Sequence, residues 1–387
     1  MFQPSEKAQA IIADINAFVR DEIKPLEKRE NLQWGGSYPR ELLQRVWRMS
    51  CEKGFYNIML PEALGGAGLS VADVCAVKEA TVLSGAMLAP HILGELSGPP
   101  RIGHLFKVAT DHQIQTILQP ICRAEKAICF ALTEAEAGSD ATAISTNAVR
   151  DGDHYVLNGS KRYISGASYA DYAVLMAVTD PNAGAAGISA FFVDLKADGA
   201  SVRDDYGVMS GKGAHGDITL ENVRVPVENL IGEEGKGFKL AMGRITVNRL
   251  LHCPTMLGMA GLALQLSIRH AQTRSQFGKP IAAFQAVNHM IADMATELAA
   301  ARALMYATAA QYDAGDNIAV QSPMSKLFCS ETAFRIIDRA VQVHGGAGLI
   351  QGNAVEFLFR ASRMMRILTG TSEIQRNAIA KGLLMPG

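Results

Sequence analysis

Five short segments combine residue types that could do chemistry. Thr133-Glu134-Ala135-Glu136-Ala137-Gly138-Ser139-Asp140 follows an apolar run. It offers glycine, hydroxyls and free backbone donors, which can bind a heteroaromatic ring or a pyrophosphate without a cationic side chain. A polar surface loop has the same composition. Gly159-Ser160-Lys161-Arg162-Tyr163-Ile164-Ser165-Gly166 sets one aromatic residue beside a Ser-Gly pair. Its ring could cover a flat cofactor or sit in the core of a plain hairpin. In Thr273-Arg274-Ser275-Gln276-Phe277-Gly278-Lys279-Pro280, followed by Gln285, the arginine could grip a diphosphate or close a helix C-terminus. Gln342-Val343-His344-Gly345-Gly346 would let a ligand approach the backbone. It follows a helix rather than a strand, so it is no dinucleotide fingerprint. Gly370-Thr371-Ser372-Glu373 reads as a capped helix start, which is also an anion seat.

The rest of the composition narrows the chemistry. The chain has 387 residues, 48% hydrophobic and 19% charged, with a net charge of −1. That excludes a disordered chain and argues against nucleic acid or an anionic membrane as the main partner. No apolar stretch reads as a bilayer span free of charge and helix breakers. Cys51, Cys75, Cys122, Cys129, Cys253 and Cys329 include no CxxC pair and read as buried thiols of a reducing, cytoplasmic protein. Without metal-ligand spacing, redox chemistry requires an organic cofactor.

The elements that must position these segments change texture twice. Residues 1–126 carry helical spacing, as in Ile11, Ile12, Ile15 and Phe18, and again in Leu42, Leu43, Val46 and Trp47. Residues 127–231 turn to strands: 127–132, His154 to Leu157 between turn signals at Asp151-Gly152 and Asn158-Gly159, then 172–178 and 188–195. Residues 232–387 return to helix. Ser322-Pro323 predicts a helix start, Leu327, Phe334, Ile337 and Val341 one face, and Gly345-Gly346 a left-handed end.

In this order, and over nearly the whole chain, the segments resemble the acyl-CoA dehydrogenase family. The resemblance implies an α+β architecture: a helical N-terminal domain, a central small β-barrel and a C-terminal four-helix bundle. It also implies FAD, usually in a homotetramer. By position, Phe130, Leu132, Thr133, Tyr163, Ile164 and Ser165 would surround the isoalloxazine, with Gly138 and Ser139 at the flavin and thioester. Arg274, Gln276, Phe277 and Gln285 would hold the adenine end and diphosphate. Gln342, Gly345 and Gly346 would come from a neighbouring subunit, and Thr371 and Glu373 match further flavin contacts. Ser139, Arg249 and Gly370 would meet an acyl-CoA substrate. Electron-transfer flavoprotein or oxygen would take the electrons.

Catalysis is where the chain departs from the family. The family's base is a carboxylate that removes the proton next to the thioester carbonyl. Many members carry it directly before the Gly-Thr pair, where this chain has Thr369. Others carry it before an arginine on the helix after the barrel, where this chain has Asn248. Neither an amide nor an unassisted hydroxyl is a usable base near neutral pH. Gly213-Ala214-His215-Gly216-Asp217 and Arg249-Leu250-Leu251-His252-Cys253 are similar to the branch of acyl-CoA dehydrogenase family members 10 and 11. Three readings follow. One is a dehydrogenase whose base lies elsewhere, with His215, His252, His91 and Glu95 as candidates. Another is different flavin chemistry on the same fold, as an oxidase, monooxygenase or reductase. The last is a silent subunit paired with an active homologue.

Overall fold

The computed structural model describes residues 2–385. Helix α1 (Glu6–Phe18) starts at Ser5, whose hydroxyl accepts from the Ala8 amide, and buries Ala8, Ile15 and Phe18. Helix α2 (Arg40–Glu52) buries Leu43, Val46 and Trp47. Helix α3 (Val71–Leu83) starts at Ser70. The chain divides into two compact units. One comprises Met1–Gly35, Leu69–Ala89 and Ile245–Gly387; the other comprises Gly36–Gly68 and Pro90–Arg244.

The second unit is built on one seven-stranded sheet: β1 (Ile128–Ala131), β2 (Asn147–Asp151), β3 (His154–Ser165), β4 (Tyr172–Val178), β5 (Ile188–Asp194), β6 (Ala200–Arg203) and β7 (His215–Pro226). Its order is β1-β4-β2-β3-β7-β6, with β5 also on β4. Tyr155, Leu157, Ile164, Leu175, Phe191, Ile218 and Val223 fill one apolar core. Asp151-Gly152 makes the expected hairpin, pairing Asp151 with His154. Asn158-Gly159 does not turn: β3 runs through it with a shift of register between Leu157 and Gly159. Glycine is needed there because a side chain would meet Thr146 Cα at 2.7 Å on a backbone with φ +141°. A second shift lies between Lys161 and Ile164, where Tyr163 has φ 58°.

The first unit packs α1 and α3 with the C-terminal helices α4 (Gly237–Thr273), α5 (Gln285–Asp313), α6 (Gln321–His344), α7 (Ala354–Met365) and α8 (Ser372–Leu384). The division between units falls within α4, after Arg244. Helix α4 has the length and hydropathy of a bilayer span, 1.3 over its best window, with Pro254 inside the helix. That window is 61% buried within the protein, as in a core helix. Helix α6 begins at Gln321, so Ser322 does not cap it; its hydroxyl instead donates to Thr246 O at 2.6 Å. Its most buried positions are Ser325, Lys326, Cys329, Ala333, Ile336, Ile337 and Ala340. Leu327, Phe334 and Val341 are only half-buried, because small residues let the neighbouring helices come close. Gly345 ends α6 with φ 58° and ψ −138°, outside the left-handed helical well that glycine was expected to supply. Of the cysteines, Cys51 and Cys122 are only partly buried.

The last residue of α5 holds the start of α3. The Asp313 carboxylate accepts from the Val71 and Ala72 amides at 2.7 and 3.0 Å, placing a negative charge on the positive end of the helix. Replacing Asp313 with Ala should lower unfolding free energy by about 1 kcal/mol, measured by chemical denaturation of the holoprotein.

Candidate functional site

A fully buried lysine in β3 organises the part of the site that lies in the sheet unit. Alternation along the strand puts Lys161 on the face of Tyr155 and Leu157, and a buried cation requires a partner. Lys161 Nζ donates to Glu134 Oε1 at 2.7 Å and to Leu132 O at 3.3 Å. Glu134 also accepts from Ser145 N, Ser145 Oγ and Thr146 N at 2.7, 2.8 and 3.1 Å. Burial alone would raise this carboxyl, but the charge of Lys161 and these donors outweigh it and bring it down to about 2. The loop after β1 is thus tied at both ends. The Arg162 amide donates to Thr133 O at 2.8 Å and closes the gap between loop and strand. Both residues lie in segments singled out from sequence, but neither was given a role there; the inward position of Lys161 in the strand was the signal for the pair.

The residues expected around a flat ring meet along this seam. Tyr163 is 54% exposed, not a core tyrosine. Its amide donates to Asp217 Oδ1 at 3.1 Å, and the Arg162 guanidinium lies 4.9 Å from its ring centroid. Ser165 Oγ is 3.0 Å from His215 Nε2. Phe130 is half-buried, with the Arg244 guanidinium 4.3 Å over its ring. Leu132 is buried and Thr133 half-buried, while Gly138 and Ser139 are exposed on the loop. Ile164 points its side chain into the β core, so only its backbone faces a ligand.

In the helical unit, Arg274, Gln276 and Phe277 lie on an exposed two-stranded hairpin, Ser275–Gln276 against Lys279–Pro280. Phe277 is 92% exposed at φ 51°. His270 stacks on His344 at 4.5 Å, and the Arg274 amide donates to His270 O. That stack brings the Arg274 segment beside Gln342, Gly345 and Gly346, where added Cβ atoms would meet nothing within 4 Å. Gln285 begins α5.

The two positions expected to carry the base lie in the same unit. Arg249, which follows Asn248, has its Nη2 3.7 Å from where a Cβ on Gly370, which follows Thr369, would sit. Thr369 is a β-branched residue at φ 57°, a strained conformation. Its carbonyl accepts from Gln375 Nε2 at 3.1 Å, and the Gly370 carbonyl accepts from Gln375 Nε2 at 2.8 Å and from Lys326 Nζ at 2.9 Å. Lys326 is completely buried, and burial pushes its pKa down to about 8. Thr371 caps α8 by accepting from the Ile374 amide, and Glu373 is exposed beside it. The strand-unit candidates His91 and His215 are weak bases, each lowered by burial to about 4. His91 accepts from Trp47 Nε1 at 3.2 Å if its Nδ1 is unprotonated.

Three family descriptions match the chain in order: "Acyl-CoA dehydrogenase, N-terminal domain" over residues 5–125, "middle domain" over 129–223 and "C-terminal domain" over 235–384. The chain belongs to the acyl-CoA dehydrogenase family. It is 41% identical to "Caffeyl-CoA reductase-Etf complex subunit CarC" of Acetobacterium woodii, over 92% of each chain. It is 37% identical to "3-(aryl)acrylate reductase" of Clostridium sporogenes, over 95% of this chain and 96% of the other. Butyryl-CoA dehydrogenase of Megasphaera elsdenii superposes with a TM-score of 0.88 at 28% identity, covering 99% of this chain and 100% of that one. The N-terminal helices, middle β domain and C-terminal helices described above are this family's fold.

Acyl-CoA dehydrogenases are FAD flavoproteins, and the residues present fit that cofactor. In the sheet unit, the bare Tyr163 ring and the loop donors after β1 suit a flat heteroaromatic ring; in the helical unit, the open backbone at Gly345-Gly346 and the exposed Arg274 suit a diphosphate.

Replacing Glu134 with Gln leaves Lys161 buried without a charge partner and should destabilise the holoprotein by about 3–5 kcal/mol. The Glu134 carboxyl is depressed in the folded state, so its stabilisation is complete above the ordinary carboxylate range. It is lost as pH falls through about 2; the acid limb of a pH–stability curve should therefore flatten in E134Q. Thr369→Gly relieves backbone strain and should raise stability by about 1 kcal/mol, read as a higher thermal midpoint.

Proposed function

We propose that this chain is an FAD-dependent oxidoreductase acting on the Cα–Cβ bond of an acyl-CoA thioester, by dehydrogenation with an atypical or displaced base. The observation that supports the reading is the reach of the Arg249 guanidinium to Gly370, beside Thr369. Bound FAD supplies the hydride acceptor. The chain's own residues hold the thioester end: Arg249 is a cation lowered by burial, and the Gly370 carbonyl is fixed by Lys326 and Gln375. Ser139, on the exposed loop of the sheet unit, is the third residue assigned to the substrate.

Reduction of an activated double bond is the second reading, favoured by relatives that are named caffeyl-CoA reductase and 3-(aryl)acrylate reductase. Both directions exchange a proton at the same carbon, so the absence of a carboxylate from Thr369 and Asn248 bears on each. Electron-transfer flavoprotein is the partner we assign, because the relative from Acetobacterium is named as a subunit of an Etf complex. Other parts of the assignment are a homotetramer, cytoplasmic residence in keeping with six free thiols, and domains at 1–126, 127–231 and 232–387. Gln342, Gly345 and Gly346 then reach the cofactor of a neighbouring subunit.

Anaerobic titration with straight-chain saturated acyl-CoAs should bleach the flavin slowly or not at all. Thr369→Glu, which installs a carboxylate at the first base position, should speed bleaching by butyryl-CoA at least 100-fold. Fast bleaching of the unaltered protein would overturn the displaced-base reading. Thioesters that leave the absorbance of a fully flavinated protein unchanged would overturn the substrate assignment.

A further inference from the structure

Lys326, on α6, is fully buried, and among the described residues no carboxylate lies within ion-pair reach of its ammonium. Its acceptor is the Gly370 carbonyl, at 2.9 Å. The groups around it do not supply an anion. From α4, Arg249 repels it, and Cys253 is a thiol kept neutral by burial. Lys78, on α3, acts on the same thiol and adds another cation. Glu331, further along α6, is committed to the Ser372 hydroxyl at 2.6 Å and to Arg366 at 2.9 Å. Glu373, at the start of α8, is exposed. A buried ammonium in such company is costly, and a lysine, unlike an arginine, can shed its charge. Burial accordingly outweighs the pull of Cys253, Glu331 and Glu373 and brings this amine down to about 8.

What the ammonium holds is a strained turn. Thr369 has φ 57° and Gly370 φ 91°, and such a backbone at a threonine persists only where its surroundings over-determine it. The other grip is Gln375, fully buried, whose Nε2 donates to both carbonyls and whose Oε1 has no partner. Gln375 is neutral, so the strength of the hold depends on Lys326: a charged donor makes a hydrogen bond roughly twice as strong as a neutral one. Arg249 Nη2 stands beside Gly370, so the shape of the turn also sets the spacing of two residues assigned to the substrate.

We infer that Lys326 is a positioning residue that works by charge: as an ammonium it holds the Thr369-Gly370 turn in the shape that presents Gly370, beside Arg249, to a thioester, and as a neutral amine it lets the turn relax. The inference rests on the assignment of Arg249 and Gly370 to the substrate and adds the group that sets their arrangement.

Hydrogen exchange of the flavinated protein, followed on peptides spanning residues 366–375 and corrected for the intrinsic rate at each pH, tests it without substrate. Protection should fall about 5-fold between about pH 7 and pH 9.5. In Lys326→Arg, which stays charged, it should not fall; in Lys326→Met it should be low at both values. Global stability should move the opposite way. The folded lysine gives up its proton more readily than an unfolded one, at about 10.4, so the parent should gain on Lys326→Met in chemical denaturation as pH rises from about 8 to about 10. A lysine with only a structural role would tighten the turn as the fold gains stability. Isothermal titration with butyryl-CoA supplies the substrate arm: affinity should fall about 5-fold over the first pH range in the parent and stay level in Lys326→Arg. Protection that does not change with pH in the parent, or that falls equally in Lys326→Met, overturns the inference, and this comparison decides it even if Lys326→Arg does not fold. A turn that loosens while butyryl-CoA binds equally at both values overturns the positioning role. If butyryl-CoA binds at neither, the substrate assignment falls, and the exchange result decides whether Lys326 holds the turn.

Discussion

The ion pair of Glu134 and Lys161 is the constraint on which the exposed Tyr163 edge of the sheet unit depends. Lys161 has no route to water, so the strand stays folded there only while a carboxylate meets it. That carboxylate belongs to the loop after β1, and its other oxygen holds Ser145. One pair therefore joins three stretches of chain, setting Thr133 against Arg162 and leaving Tyr163 to project. The shift of register between Lys161 and Ile164 follows from the same demand. The strand must turn its lysine inward and, two residues later, its tyrosine outward, and an irregular backbone with Tyr163 at positive φ achieves both.

A comparable economy governs the helical unit. The Thr369-Gly370 turn is strained, and strain persists only where the surroundings over-determine it. Here Lys326 and Gln375 grip the carbonyls of both residues. The turn keeps its shape although the residue in it is a threonine, so the local geometry and the chemical identity of residue 369 are separable.

Much of this was legible in the sequence, for reasons that can be stated. Periodicity found α1 and α2, and short apolar runs found β4 and β5 almost to the residue, because burial of one face imposes those patterns locally. Asn158-Gly159 misled because a dipeptide carries the same signal whether it reverses the chain or lets Thr146 approach a bulge. Ser322 misled because its hydroxyl found an acceptor in another helix. The segments assigned to flavin are short and contiguous, so each stands whole in the sequence. Helix α4 passes a test of length and hydropathy for a membrane span, and most of its apolar window is buried within the protein.

The hairpin that carries Phe277 has a further implication. A benzyl group left almost wholly in water, on a backbone that disfavours it, gains nothing for the isolated polypeptide. In the assembly assigned here, its surroundings and the cofactor arrive together, so quaternary association and cofactor retention become one equilibrium rather than two. Dilution would then act as a solvent-independent way of stripping the prosthetic group, and yellow colour would report how many copies stand side by side.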